Sequence, residues 1–317
     1  MSTSVGAPDV VVANGPAELD RIAALDRAPA PGLAGLLAAL RRAAPREEWD
    51  FARIRAEFET IARAMPVPES VGWAQLQLAD RPTGLATPVR ARRVCLYLHG
   101  GAYTIGSPAT TRGLASRFAE AAACLTYVLD YRLAPEHPYP AAVEDAVAAV
   151  TELHRRHPDL PLVLAGDSAG GGLALRTALA TAGPDGPAAV VAMSPWTDLR
   201  PEAIPGDDVS PDPQAPSWLL RRSAEVYAAA DRAAASPAAA PDDQLLRAAP
   251  ILVQVGTAER LYGDGVAFAR RVWSAGGNLT LECWPGQLHV FQAFGPRLQA
   301  ANAALARAAD WLEEVAA

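Results

Sequence analysis

Three cysteines in 317 residues are too few for a disulfide framework. Cys95, Cys124 and Cys283 each lie in or beside an apolar run, where a buried free thiol is expected. Basic charge is also scarce. Twenty-eight Lys and Arg stand against 35 Asp and Glu, the net charge is −7, and no basic block occurs. That balance argues against nucleic acid or an anionic membrane as the main partner. No apolar run is long enough for a membrane span. Residues 1–16 lack the basic region and apolar stretch of a signal peptide, so the expectation is a soluble cytoplasmic protein. No repeat of fixed period is present.

What is abundant is apolar side chain, half of all residues, and it is patterned. Continuous apolar runs at Val94 to Leu98, Cys124 to Leu129, Leu162 to Ala165, Ala189 to Met193, Ile251 to Val255 and Leu279 to Cys283 predict central strands covered on both faces. Helical stretches at 113–123, 141–156, 172–182 and 265–275 separate most of them, and 297–315 closes the chain. Strand-helix alternation predicts an α/β fold with a mostly parallel, doubly wound sheet. Residues 71–79 alternate loosely, as an antiparallel strand would. Upstream, Phe51, Ile54, Phe58, Ile61 and Met65 form one helical stripe, behind shorter helices punctuated by Pro29, Pro31 and Pro45. These helices could pack on the core or form a mobile lid. The interval from Asp198 to Pro250 is too long for a simple connection. Rich in proline and acid, with a helix over 217–230, it reads as part of a cap.

The stretch Gly166-Asp167-Ser168-Ala169-Gly170-Gly171 falls between a predicted strand and a predicted helix, which matches a nucleophile elbow. Small residues allow the chain to turn sharply there, pushing the serine hydroxyl clear of the backbone. The helix beneath offers free N–H groups and a positive dipole end to a developing oxyanion. Upstream, the strand to Leu98 ends in His99-Gly100-Gly101-Ala102-Tyr103. The N–H groups of Gly100 and Gly101, with that of Ala169, are candidates for an oxyanion hole. His99 reads as structural, its ring placed under the turn.

A base must reach Ser168. His154 and His157 sit at the polar end of a helix, and His137 lies in a Pro-flanked turn. His289 remains, in a loop past the last strand, where the base follows in the chain order Ser, acid, His. Two carboxylates after Ile251 to Val255 could orient it, Glu259 and Asp264. Asp264, just before a helix, suits an N-cap.

Five blocks in order now carry a family resemblance: His99-Gly100-Gly101-Ala102-Tyr103, Asp130-Tyr131-Arg132-Leu133-Ala134-Pro135-Glu136, Gly166-Asp167-Ser168-Ala169-Gly170, Ser194-Pro195-Trp196-Thr197-Asp198 and His289-Val290-Phe291. Together they resemble the hormone-sensitive-lipase family of α/β-hydrolases, the bacterial family IV esterases. The resemblance covers 94 to the C-terminus. It implies an α/β-hydrolase core with a helical cap and ester hydrolysis without a cofactor or metal. It places Ser168 at the nucleophile, His289 at the base and Glu259 at the acid, where many members carry aspartate. Arg132 and Glu136, in a structural motif, are read as a buried ion pair.

The implied organisation is an N-terminal helical cap segment over 1–70, core over 71–198, a cap insertion over 199–235 and core again over 236–317. The resemblance implies a small-molecule carboxylic ester or lactone as substrate. An acyl-enzyme could also be intercepted for acyl transfer or cyclisation, and some relatives of this fold only bind ligands. A homodimer stays open.

Overall fold

The computed structural model describes residues 10–316 apart from 64, 184 and 296. The described chain runs β1 (Val11–Ala13), α1 (Leu19–Ala23), α2 (Ala34–Ala43), α3 (Phe51–Arg63), β2 (Gly72–Leu78), β3 (Arg81–Thr87), β4 (Arg93–Leu98), α4 (Pro108–Ala121) and β5 (Cys124–Leu129). It continues with α5 (Ala141–Arg156), β6 (Leu162–Asp167), α6 (Ala169–Ala180), β7 (Ala189–Met193), α7 (Ser217–Ala228), α8 (Arg232–Ala235) and α9 (Asp242–Leu246). Then come β8 (Ile251–Gly256), α10 (Tyr262–Ser274), β9 (Leu279–Trp284) and α11 (Gln299–Val315).

One sheet orders its strands β1-β9-β8-β7-β6-β4-β5-β3-β2. The six strands β4 to β9 are parallel, as the continuous apolar runs require, and antiparallel strands close both flanks. Alternation along β4 divides the core. Val94, Leu96 and Leu98 face the layer built on α5, α6 and α10, while Cys95 and Tyr97 face α4 and α11. The three cysteines are buried and unpaired. Among the described residues no helix is long and apolar enough to cross a membrane.

Two strands escape the sequence pattern. In β3, Pro82 and Gly84 read as turn residues, yet the strand pairs with both β2 and β5. Gly84 is required there, because a Cβ would meet the Trp73 ring at 2.3 Å. β1 is three residues paired antiparallel with β9.

The N-terminal segment is stitched to the core by polar as well as apolar contacts. Thr257 Oγ1 donates to Asp26 O at 2.6 Å, Tyr262 Oη to Ile22 O at 2.9 Å, and the Ala30 N–H to Gly286 O at 3.0 Å. Leu33 and Leu37, on and beside α2, pack on Ala258 and Leu288. Phe51 and Ile54 of α3 pack on Leu219 of α7. Thr257, Ala258, Gly286 and Leu288, which this segment touches, belong to two loops, one after β8 and one after β9.

The loop after β5 corrects one expectation. Arg132 and Glu136 do not pair. Arg132 turns toward α5, where its Nε donates to Asp145 at 2.9 Å and its Nη2 to Glu144 at 3.1 Å. Glu136 turns the other way and accepts both terminal nitrogens of Arg55, on α3, at 2.8 and 2.7 Å. Neither side chain is buried, so each finds its partner on a different neighbouring helix at the surface.

Candidate active site

β6 ends at Asp167 and α6 begins at Ala169, leaving Ser168 alone at the bend with φ 53° and ψ −123°. A β-carbon-bearing residue is strained in that region, and the strain persists because both flanks are fixed. A Cβ on Gly166 would meet Gly170 O at 2.4 Å, and one on Gly170 would meet Leu98 O at 2.0 Å. No other residue than glycine fits so tight a crossing of β4, β6 and α6. The Ser168 N–H donates to Met193 O on β7 at 2.9 Å, which pins the bend from the far side.

His289 Nε2 lies 2.9 Å from Ser168 Oγ. On the other ring edge, Nδ1 stands 3.6 Å from Glu259 Oε1, an ion-pair distance longer than a hydrogen bond. Both atoms lack any nearer partner. Glu259 is fully buried, and its second oxygen accepts the Gly256 N–H at 2.9 Å and the Ser194 hydroxyl at 2.6 Å. Burial pulls the His289 pKa down, but attraction to Glu259, Asp212 and Asp167 outweighs it and holds the imidazole above its ordinary value.

The two candidate carboxylates separate clearly. Asp264 is the third residue of α10 and does not cap it. Its oxygens accept the N–H and hydroxyl of Thr197 at 2.6 and 2.7 Å, tying the start of α10 to the loop after β7. The helix starts three residues earlier than its apolar pattern suggests, which moves Asp264 inside it. Burial raises the Asp264 pKa to about 7.

The glycine loop after β4 lies beside the serine. Gly101 has φ +125° and a Cβ there would meet Ile105 O at 2.1 Å, so this position admits glycine alone. The N–H groups of Gly101, Ala102 and Ala169 meet no acceptor among the described residues. The Gly100 N–H, an expected oxyanion donor, instead faces the Asp167 carboxyl group. Tyr97 Oη also donates to that group, at 2.9 Å. Asp167 therefore holds the loop from behind, and burial raises its pKa against these contacts. His99 is buried and stacked on Tyr131 with centroids 4.3 Å apart, and burial lowers its pKa to about 4. It is a neutral support beneath the turn.

Ser168 opens into a cavity of about 240 Å³. Its walls come from α2 and α3 (Leu40, Phe58), α4 (Leu114), α7 (Leu219) and the loop past His289 (Phe294). They are largely apolar, as a binding site for an uncharged organic group requires. No cluster of His, Cys, Asp or Glu suited to a metal occurs among the described residues.

One contact to His289 was not foreseen from sequence. Asp212, from the insertion between β7 and β8, accepts the His289 backbone N–H at 2.5 Å. Gln214 Nε2 donates to His289 O at 2.6 Å. The only sequence signal was the acidic, proline-rich composition of that interval, which says nothing of where one aspartate lands.

Comparison with known proteins identifies the fold and the family. Residues 95–293 match the family described as the alpha/beta hydrolase fold. An acetyl-hydrolase of Streptomyces hygroscopicus is 40% identical over 224 residues, 69% of this chain and 75% of that protein. A carboxylesterase/phospholipase of Mycobacterium tuberculosis is 32% identical over 257 residues, 77% of this chain and 68% of the relative. The crystal structure of an esterase from the bacterial hormone-sensitive lipase family matches with a TM-score of 0.82 at 36% identity, covering 92% of this chain and 100% of that one. The fold class is thus an α/β-hydrolase, and the chain belongs to the hormone-sensitive-lipase family within it. It is a carboxylic ester hydrolase.

Proposed function

We propose that the chain hydrolyses small to medium, uncharged carboxylic esters through Ser168, His289 and Glu259 by way of an acyl-enzyme. The observation that carries this is the 2.9 Å approach of His289 Nε2 to Ser168 Oγ, at a strained elbow that opens on an apolar cavity. His289 takes the hydroxyl proton as Ser168 Oγ bonds to the ester carbonyl carbon. The carbonyl oxygen becomes an oxyanion, met by the free N–H groups of Gly101, Ala102 and Ala169. Gly100 serves by its lack of a side chain, which leaves room for Asp167 behind the loop. The tetrahedral centre collapses, the alkoxide leaves with the proton from His289, and the acyl group stays on Ser168. Water then repeats the sequence with His289 as base, releasing the acid and the free serine. Glu259 stabilises the imidazolium in both halves.

Residues 1–70 and 199–235 are proposed to act as a cap that shapes the substrate space, over a core of 71–198 and 236–317. The contact of α3 with α7 and their shared walling of the cavity support this. Short p-nitrophenyl esters, with wild type beside Ser168→Ala, test the chemistry. The variant should fold and lose both turnover and labelling by a fluorophosphonate. Persistent labelling or turnover would remove Ser168 from the role.

A further inference from the structure

The insertion between β7 and β8 does more than roof the cavity. Ser210 Oγ donates to Ala258 O at 2.5 Å, one residue before Glu259. The Asp212 N–H donates to Ser210 Oγ at 3.1 Å, and the Gln214 N–H to Asp212 Oδ1 at 3.0 Å. With the Asp212 and Gln214 bonds to the main chain of His289, one five-residue stretch grips the loops of both acid and base. Ser210, Asp212 and His289 are all buried, so water does not compete for these bonds.

Asp212 is 1% exposed, an unusual place for a carboxylate without a cation. Among the described residues no Lys or Arg offsets its burial. Its polar partners are the His289 and Gln214 N–H groups, the Gln214 side chain and, by charge, the His289 ring. A buried acid that stabilises nothing would cost the fold and return no benefit. We infer that Asp212 is a positioning residue for His289, fixing its main chain and supplying a second negative charge to the imidazolium formed during turnover. The inference rests on His289 being the base.

Three carboxylates then face the imidazole from three elements: Glu259 from the loop after β8, Asp167 from the end of β6, and Asp212 from the insertion. Glu259 addresses Nδ1, Asp167 supports the oxyanion loop, and Asp212 alone binds the His289 main chain. Each favours the protonated ring, so removing one charge makes the imidazole less basic. Because Pro213, Gln214 and Ala215 also line the cavity, whatever fills that wall presses on the stretch that holds the base.

The test compares pH profiles of kcat, KM and melting temperature for wild type, Asp212→Asn, Gln214→Leu and His289→Gln. Asparagine keeps an acceptor for the His289 N–H but loses the charge. Its kcat should fall by ~10-fold, with KM little changed and the acid limb displaced to lower pH by about half a unit or more. Gln214→Leu removes a bond but no charge, so kcat should fall while the limb stays in place. An Asp212→Asn profile that superimposes on wild type, or a lowered melting temperature with unchanged kcat and limb, would overturn the role. If Asp212→Asn yields no folded protein, Asp212→Glu carries the test: kcat should fall with the limb unmoved, and a wild-type kcat overturns the inference. Turnover retained by His289→Gln would overturn the base assignment itself. Background turnover there, beside an unaltered Asp212→Asn, overturns only Asp212.

Discussion

The Ser194 hydroxyl donates to Glu259 Oε2 at 2.6 Å and accepts the Val290 N–H at 3.0 Å. One side chain thus sets the distance between the carboxylate and the loop that carries His289. It also leaves Glu259 Oε1 free to face the ring. Ser194 directly follows β7 and bends there with φ 47°.

Replacing Ser194 by alanine should therefore act on the pair without touching Ser168. The buried carboxylate loses a charge-assisted bond, which costs about 2 kcal/mol of stability. Loosening of the His289 loop should lower kcat by up to ~10². Thermal denaturation and steady-state kinetics on one ester check both, and an unchanged kcat would show that Gly256 alone suffices to aim Glu259.

Glu259→Gln keeps the shape and removes the charge. The imidazolium loses its partner and the ring its preferred tautomer, so kcat should fall by up to ~10⁴ with the fold retained. The comparison that decides the acid is Asp264→Asn measured in parallel. If that variant loses turnover while Glu259→Gln remains active, the acid is Asp264.

Asp264 should reveal itself in stability. Its pKa in the fold is raised to about 7 from an ordinary 3.8, so between those values the folded protein holds a proton that the unfolded chain has released. Stability contributed by the neutral form is complete at low pH and is lost as pH rises toward 7. Asp264→Asn removes this titration. Its melting temperature should vary less than that of wild type from pH 4 to 8, with kcat within a few-fold. Parallel curves for the two proteins would contradict the assignment.

Arg55 fastens α3 to the core through Glu136 and through the carbonyls of Thr104 and Ala134, at 2.7 and 2.8 Å. Its guanidinium holds the Glu136 carboxyl down at about 2, but more than half of that side chain is exposed, so the ion pair contributes at most ~1 kcal/mol. Arg55→Ala should instead shift the cavity wall that α3 supplies. KM and ester preference should change several-fold while fluorophosphonate labelling of Ser168 proceeds. A collapse of kcat at constant KM would mean that α3 supports the chemistry directly.

The parts of this architecture legible in sequence are those written locally. Glycines around Ser168, the paired glycines after Leu98 and the continuous apolar strands each reflect a constraint met within a few residues. β3 was hidden because Pro82 and Gly84 are tolerated only through the ring of Trp73 and pairing on both sides. Arg132 and Glu136, four positions apart, seemed natural partners, yet the loop between them sends one to α5 and the other to α3. Asp212 reaches His289 across 77 positions, and no periodicity encodes such a meeting. The resemblance had already pointed to Glu259 over Asp264, but the bonds Asp264 accepts from Thr197, in place of a helix cap, were not legible.

The pairing of Val11–Ala13 with Leu281–Cys283 sets an order of assembly. On a growing chain, β1 emerges long before β9 exists to receive it. The bond that Asp26 O accepts and the one that the Ala30 N–H donates likewise wait for Thr257 and Gly286. The segment made early therefore docks late, clasping the loops of acid and base only after nearly the whole described chain has been synthesised. A ribosome-bound chain stopped short of β9 would carry a finished elbow but neither the clasp nor His289, so esterase activity should appear only once the loop after β9 has been made.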